Sequence, residues 1–96
     1  MSAEVEEMFK KLMTHKGVKG LLIFNADGIV IKSTVENSIA VHYACRIHGL
    51  LAKARHVVKE LNPNDNVETI RLRSRHEVII VPSSEYTLVC IQKPQI

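Results

Sequence analysis

Apolar residues along this chain recur at helical spacing in some stretches and run together or alternate in others, and the switches between these patterns mark out seven elements. Across residues 2–14, Val5, Met8, Phe9 and Leu12 fall at intervals of three, one and three. That spacing predicts a short amphipathic helix with one apolar stripe. Ser2 is placed to cap it, Glu4, Glu6 and Glu7 complement the positive end of its dipole, and Lys10, Lys11 and Lys16 suit the other end, where Gly17 stops it. An apolar run then covers residues 18–25. Asn25-Ala26-Asp27-Gly28 supplies turn chemistry, and Ile29-Val30-Ile31 follows. Two β-branched runs around an Asp-Gly turn predict a hairpin. Both strands are nearly continuous in apolar residues, which predicts a sheet covered on both faces.

Asn37 or Ser38 opens a long helix that runs to about Leu61, where Asn62-Pro63-Asn64 breaks it. Ala40, Ala44, Ile47, Leu51, Ala54, Val58 and Leu61 recur at intervals of four and three and predict the sheet-facing stripe. A second series, Tyr43, Leu50 and Val57, recurs every seven residues at another angle, flanked by Arg46, Gly49 and Lys53. A surface helix needs only one stripe, so the second predicts burial against another subunit. Gly inside a helix costs about 1 kcal/mol relative to Ala. At Gly49, beside that second stripe, the residue reads as room for the close approach of a second helix.

Residues 67–73 alternate, with Glu68, Ile70 and Leu72 against Val67, Thr69, Arg71 and Arg73. Alternation carrying charge predicts a less buried, edge strand. Residues 74–77 make a turn, Val78-Ile79-Ile80-Val81 a central strand, Pro82-Ser83-Ser84-Glu85 another turn, and residues 86–92 the last strand, closed by Pro94. The order is therefore α-β-β-α-β-β-β, an α+β sandwich, in one domain spanning residues 1–96 with no internal repeat or linker.

Composition narrows the function more than the fold. Hydrophobic residues at 46% and charged residues at 24% suit a folded domain rather than a disordered tail. The net charge of +3 is mildly basic, but aromatics are only 4% and Trp is absent, so no nucleic-acid partner is expected. Cys45 and Cys90 lie far apart inside apolar runs, as free thiols in a reducing compartment do. The acidic start lacks the features of a secretory signal, no apolar run approaches a membrane span, and no lipidation motif stands at either end. A cytoplasmic location without membrane insertion is expected.

Candidate chemistry is sparse. His42, His48 and His56 lack the i, i+4 spacing of a zinc helix, and Cys45 with His48 has no further ligand nearby in sequence. Gly17 and Gly20 are too close for a phosphate cradle, and neither a P-loop nor a GxSxG elbow occurs. Glu6, Glu7 and Asp27 read as solvated charges, and Arg71, Arg73 and Arg75 as protection for an edge strand. No catalytic residue, cofactor or metal is expected, and the chain does not read as an enzyme.

Several segments, taken in order, resemble the roadblock family of dynein light chains. They are Val5-Glu6-Glu7; Gly17-Val18-Lys19-Gly20 through Asn25-Ala26-Asp27-Gly28-Ile29 to Ile31-Lys32-Ser33-Thr34; Leu51-Ala52-Lys53-Ala54-Arg55; Arg71-Leu72-Arg73-Ser74; Tyr86; and Ile91-Gln92-Lys93-Pro94. The resemblance implies a five-stranded antiparallel sheet with helices on both faces. It also implies a homodimer in which the long helices pack together and edge strands pair into one continuous sheet. Carried onto this chain, the dimer surface would use Tyr43, Arg46, Gly49, Leu50, Lys53 and Val57, with Thr69, Arg71 and Arg73 on the strand. The implied function is non-catalytic: binding the dynein intermediate chain and supporting motor assembly and cargo linkage in microtubule-based transport, which would place the chain at the cytoskeleton. Other members of the wider family scaffold or regulate small GTPases, and that is the alternative. A partner helix is expected to lie beside the first helix, at Val5, Met8, Phe9 and Leu12, where two apolar strand faces exceed what one short helix can cover.

Overall fold

Two glycines with positive φ punctuate the chain where the turn chemistry requires them, Gly17 at 91° and Gly28 at 81°. At the second, the Asn25 side-chain oxygen accepts hydrogen bonds from the amides of Asp27 (2.9 Å) and Ile29 (3.0 Å), and the predicted hairpin closes. The computed structural model describes residues 3–93, the side chains of Glu4 and Val5 excepted. The Ser2 cap, the Val5 contact and Pro94 thus lie outside the described residues. Its elements are α1 (Ala3–Met13), β1 (Val18–Asn25), β2 (Val30–Ser33), α2 (Asn37–Leu61), β3 (Ile70–Arg73), β4 (Glu77–Pro82) and β5 (Tyr86–Gln92). The strands form one antiparallel sheet in the order β2-β1-β5-β4-β3. Both the order of elements and the five-stranded antiparallel sheet are as expected.

Each helix takes one face of the sheet, and alternation along the strands sorts the core into two layers. Leu22, Phe24, Ile80, Val89 and Ile91 point toward α2 and meet Ala44 and Ile47. Leu21, Ile23 and Cys90 point the other way and meet Phe9 of α1. β1 and β5 are therefore buried on both sides over their middles, which is why residues 21–24 and 88–91 run apolar without interruption. At Gly20 an added Cβ would lie 2.7 Å from a Val35 methyl, and the β1–β5 register slips between Val18 and Gly20. Gly20 is thus a strand irregularity that lets the segment after β2 cross close by.

The structure departs from the sequence pattern in three places. β2 is an edge strand, not a doubly covered one: Ile29 ahead of it and Ile31 within it are exposed. Its apolar run reflects β propensity rather than burial. β3 keeps only the second half of the predicted strand, because residues 65–69 take no regular structure after the helix, and Thr69 is exposed ahead of the ladder. Glu77, expected in a turn, begins β4 and is buried.

Candidate functional site

The long helix carries more apolar surface than its own sheet covers. At about 100° per residue, the buried Ala40, Ala44, Ile47 and Leu51 share one arc. Ile39, Tyr43, Leu50 and Val57 fall on the arc next to it. Ile39, Leu50 and Val57 are exposed and Tyr43 is half-buried. The second stripe is therefore real, and it borders the core rather than standing apart from it. Leu61, assigned to the first stripe, is exposed at the end of the helix instead, beyond the reach of the sheet.

This stripe runs into the free edge of the sheet. β3 has a hydrogen-bonded neighbour on one side only, β4, in the register Ile70↔Ile80, Arg71↔Ile79, Leu72↔Val78 and Arg73↔Glu77. Leu72 is 44% exposed. Together with His42, Tyr43, Arg46, Ile47 and Val78 it lines a mostly apolar hollow of about 270 Å³ between α2 and the sheet edge. Among the expected interface residues, the structure thus groups Tyr43, Arg46, Leu50 and Val57 on one face and adds Ile39 and Leu72. Ile39 was legible as the apolar residue one helical turn before Tyr43; Leu72 needed the knowledge of which strand face α2 covers. Arg71 and Arg73 lie on the opposite strand face, so they join the surface only through their backbone edge. No neighbour lies within 4 Å of a Cβ built at Gly49. Within one protomer nothing approaches that glycine, and Lys53 beside it is exposed.

A second surface lies on the α1 side. Phe9 is consumed by the protomer's own core, and Leu12 packs against the same cluster. The Lys32 ammonium holds α1 toward the β2 side of the sheet, 3.2 Å from the Glu6 carboxylate and 5.1 Å above the Phe9 ring. On α1's other flank Met8 remains exposed, beside an apolar hollow of about 150 Å³ formed with Ile23, Val81, Ser83, Tyr86 and Leu88. Of the residues expected to meet a partner here, Met8 is available, Leu12 partly so, and Phe9 is not.

Polar groups are few on this face. Glu77 accepts a hydrogen bond from the Gln92 amide at 2.8 Å and lies 3.7 Å from the Arg71 guanidinium. Burial, and to a lesser degree the Glu77 charge, push the Cys90 thiol above its ordinary pKa. A raised folded value favours the protonated thiol. Any stability gained this way is present below the unfolded value and lost as pH rises through the folded one. Cys45 and Cys90 are both free, the first exposed and the second buried. One thiol per chain should therefore react promptly with an aromatic disulfide reagent at pH 8, and Cys90 only after denaturation. Prompt reaction of both would contradict the burial of Cys90.

A hollow of about 470 Å³, lined by Arg55, Lys59, Asn66 and Ser83 among others, carries cations already engaged: Arg55 donates to the Ser83 carbonyl and Lys59 to the Asn66 side chain. Among the described residues no group of three or more His, Cys, Asp or Glu side chains is placed to hold a metal ion, and no helix is long and apolar enough to cross a membrane.

Comparison with known proteins bears on this arrangement. A family model described as Roadblock/LC7 domain matches residues 4–93. Among solved structures, the chain is similar to a Roadblock/LC7 domain from Streptomyces avermitilis, with a TM-score of 0.78 at 14% identity over 84% of this chain and 70% of that one. MglB of Myxococcus xanthus gives 0.76 at 16% identity, covering 95% of this chain and 76% of that one. An MglB in a tetrameric arrangement gives 0.80 at 13% identity, covering 97% and 75%. At these identities the likeness is one of fold.

Proposed function

Because the chain belongs to the Roadblock/LC7 domain family, we propose that it is a non-catalytic accessory light chain of the dynein motor, a homodimer that binds the dynein intermediate chain. The observation that carries this reading is the apolar strip of Ile39, Tyr43, Leu50, Val57 and Leu72, which joins the exposed face of α2 to the free edge β3. A solvated helix has no use for a second stripe, and an open strand edge invites pairing. A two-fold axis at β3 satisfies both at once: the α2 helices cover each other's stripes, and the two sheets join edge to edge. The tetrameric arrangement of an MglB similar to this chain is in keeping with self-association. The α1 side, with Met8 and the hollow beside it, remains open for the intermediate chain, and motor assembly on microtubules in the cytoplasm follows from that partnership.

The test is co-purification with a dynein intermediate-chain fragment, run beside GTP hydrolysis and nucleotide-exchange assays on small GTPases. Retention of the fragment with no effect on either assay is the expected outcome. No retention, together with a clear change in hydrolysis or exchange, would replace this reading with that of a GTPase scaffold on the same fold.

A further inference from the structure

We infer that Ser84 is a phosphorylation site whose phosphate group Arg55 and Lys59 are placed to receive. The turn between β4 and β5 sets two exposed serines side by side, and their hydrogen bonds separate them. Ser83 is committed to the turn: its hydroxyl donates to the Tyr86 carbonyl at 2.7 Å and accepts from the Tyr86 amide at 3.2 Å. Among the described residues no hydrogen bond engages the Ser84 hydroxyl. It stands on a surface turn, where a modifying enzyme reaches it without opening the core.

The surroundings suit a dianion. Ser84 lines the hollow of about 470 Å³ together with Arg55 and Lys59 from the second half of α2. Both cations are held there by neutral oxygens. The Arg55 guanidinium lies 3.5 Å from the Ser83 carbonyl, and the Lys59 ammonium 3.3 Å from the Pro63 carbonyl and 3.0 Å from the Asn66 side chain. Each keeps donors to spare. Among the described residues no carboxylate lines the hollow. Of those nearby, Glu60 pairs with His56, Asp65 accepts the Asn66 amide in the neighbouring groove, and Glu85 follows Ser84 in the turn. In the modification, the Ser84 oxygen forms a bond to the terminal phosphorus of a nucleoside triphosphate, the bond to the leaving diphosphate breaks, and the hydroxyl proton passes to the kinase's base. The product carries about −1.5 to −2 charges at pH 7 and strong acceptor oxygens. Charge-assisted hydrogen bonds from Arg55 and Lys59 outweigh the one repulsion from Glu85 and clasp the turn to α2.

Mass spectrometry on the chain isolated from its own cells, with phosphatases inhibited, should find phosphate on Ser84 and none on Ser83. The full chain carrying phosphoserine in place of Ser84, made by genetic code expansion, is then titrated by phosphorus-31 NMR beside a short peptide of residues 81–86 with the same phosphoserine. In the folded chain the second ionisation of the phosphate should fall below that of the peptide by about half a pH unit or more. The melting temperature should rise by about 2 °C or more over the unmodified chain. Both shifts should shrink as salt rises. Both should vanish with Arg55→Gln and Lys59→Gln, whose unmodified form should melt close to the unmodified wild type because both side chains are exposed. Phosphate on Ser83 instead, none on Ser84, no shift in the folded chain, or shifts that persist without Arg55 and Lys59 would overturn the inference. None of these outcomes bears on the dimer or its partner.

Discussion

Leu50→Glu should convert the chain from a dimer into a folded monomer. Leu50 is 36% exposed within the protomer, so a glutamate there keeps its hydration and the domain's core is untouched. In the dimer, the two-fold axis brings both copies into the same seam, where each carboxylate would leave water for an apolar strip and face its own copy, with Arg46 and Lys53 one turn away offsetting only part of that cost. An uncompensated buried charge costs about 3–5 kcal/mol, and each 1.4 kcal/mol is roughly tenfold in affinity. A rise in the dissociation constant of about a hundredfold or more is the expected result, read by sedimentation at micromolar concentration. The far-ultraviolet circular dichroism should stay that of the wild type. A variant that stays dimeric would place the contact elsewhere.

Phe24→Ala should act on the opposite link of the chain, stability of the protomer itself. Phe24 is fully buried between the sheet and α2, and its ring meets the His48 imidazole edge-on at 6.2 Å between centroids. His48 in turn donates from Nε2 to the Ala26 carbonyl at 3.0 Å, so this one side chain backs the contact that ties α2 to the β1–β2 turn. Removing a buried Phe costs about 3–5 kcal/mol, against a total stability of roughly 5–15 kcal/mol for a domain of this kind. The melting temperature should fall by roughly 15 °C or more. For both proteins it should rise with protein concentration, as expected when folding is linked to dimerisation. A fall of only a few degrees would mean that the layer beneath α2 repacks around the loss.

The two predictions separate what could be read from the sequence from what could not. The buried positions announce themselves through pattern: Ala40, Ala44, Ile47 and Leu51 at helical spacing, and residues 21–24 of β1 apolar without interruption because helices lie on both of its faces. The Asn25-to-Gly28 turn is legible because its side-chain and φ requirements are local. Edges are not. β2 and β1 look alike in composition, yet one is an edge and the other is buried, because strand order depends on β5, which joins from far along the chain. The surface stripe on α2 was visible as a second period, but its extension to Leu72 was hidden. Alternation in β3 says that Leu72 and Arg71 face opposite ways without saying which way α2 lies. Phe9 was misplaced for a related reason: a stripe of four apolar residues on a short helix does not reveal which of them its own sheet will consume.

The surface on α2 and β3 matters only if a second copy covers it, and the mass of the wild-type chain in solution tests that directly. Multi-angle light scattering at micromolar concentration should return twice the 10.8 kDa of the single chain. A folded species at 10.8 kDa would contradict the account, leaving Leu50, Val57 and Leu72 to some other chain and the joined sheet without a basis.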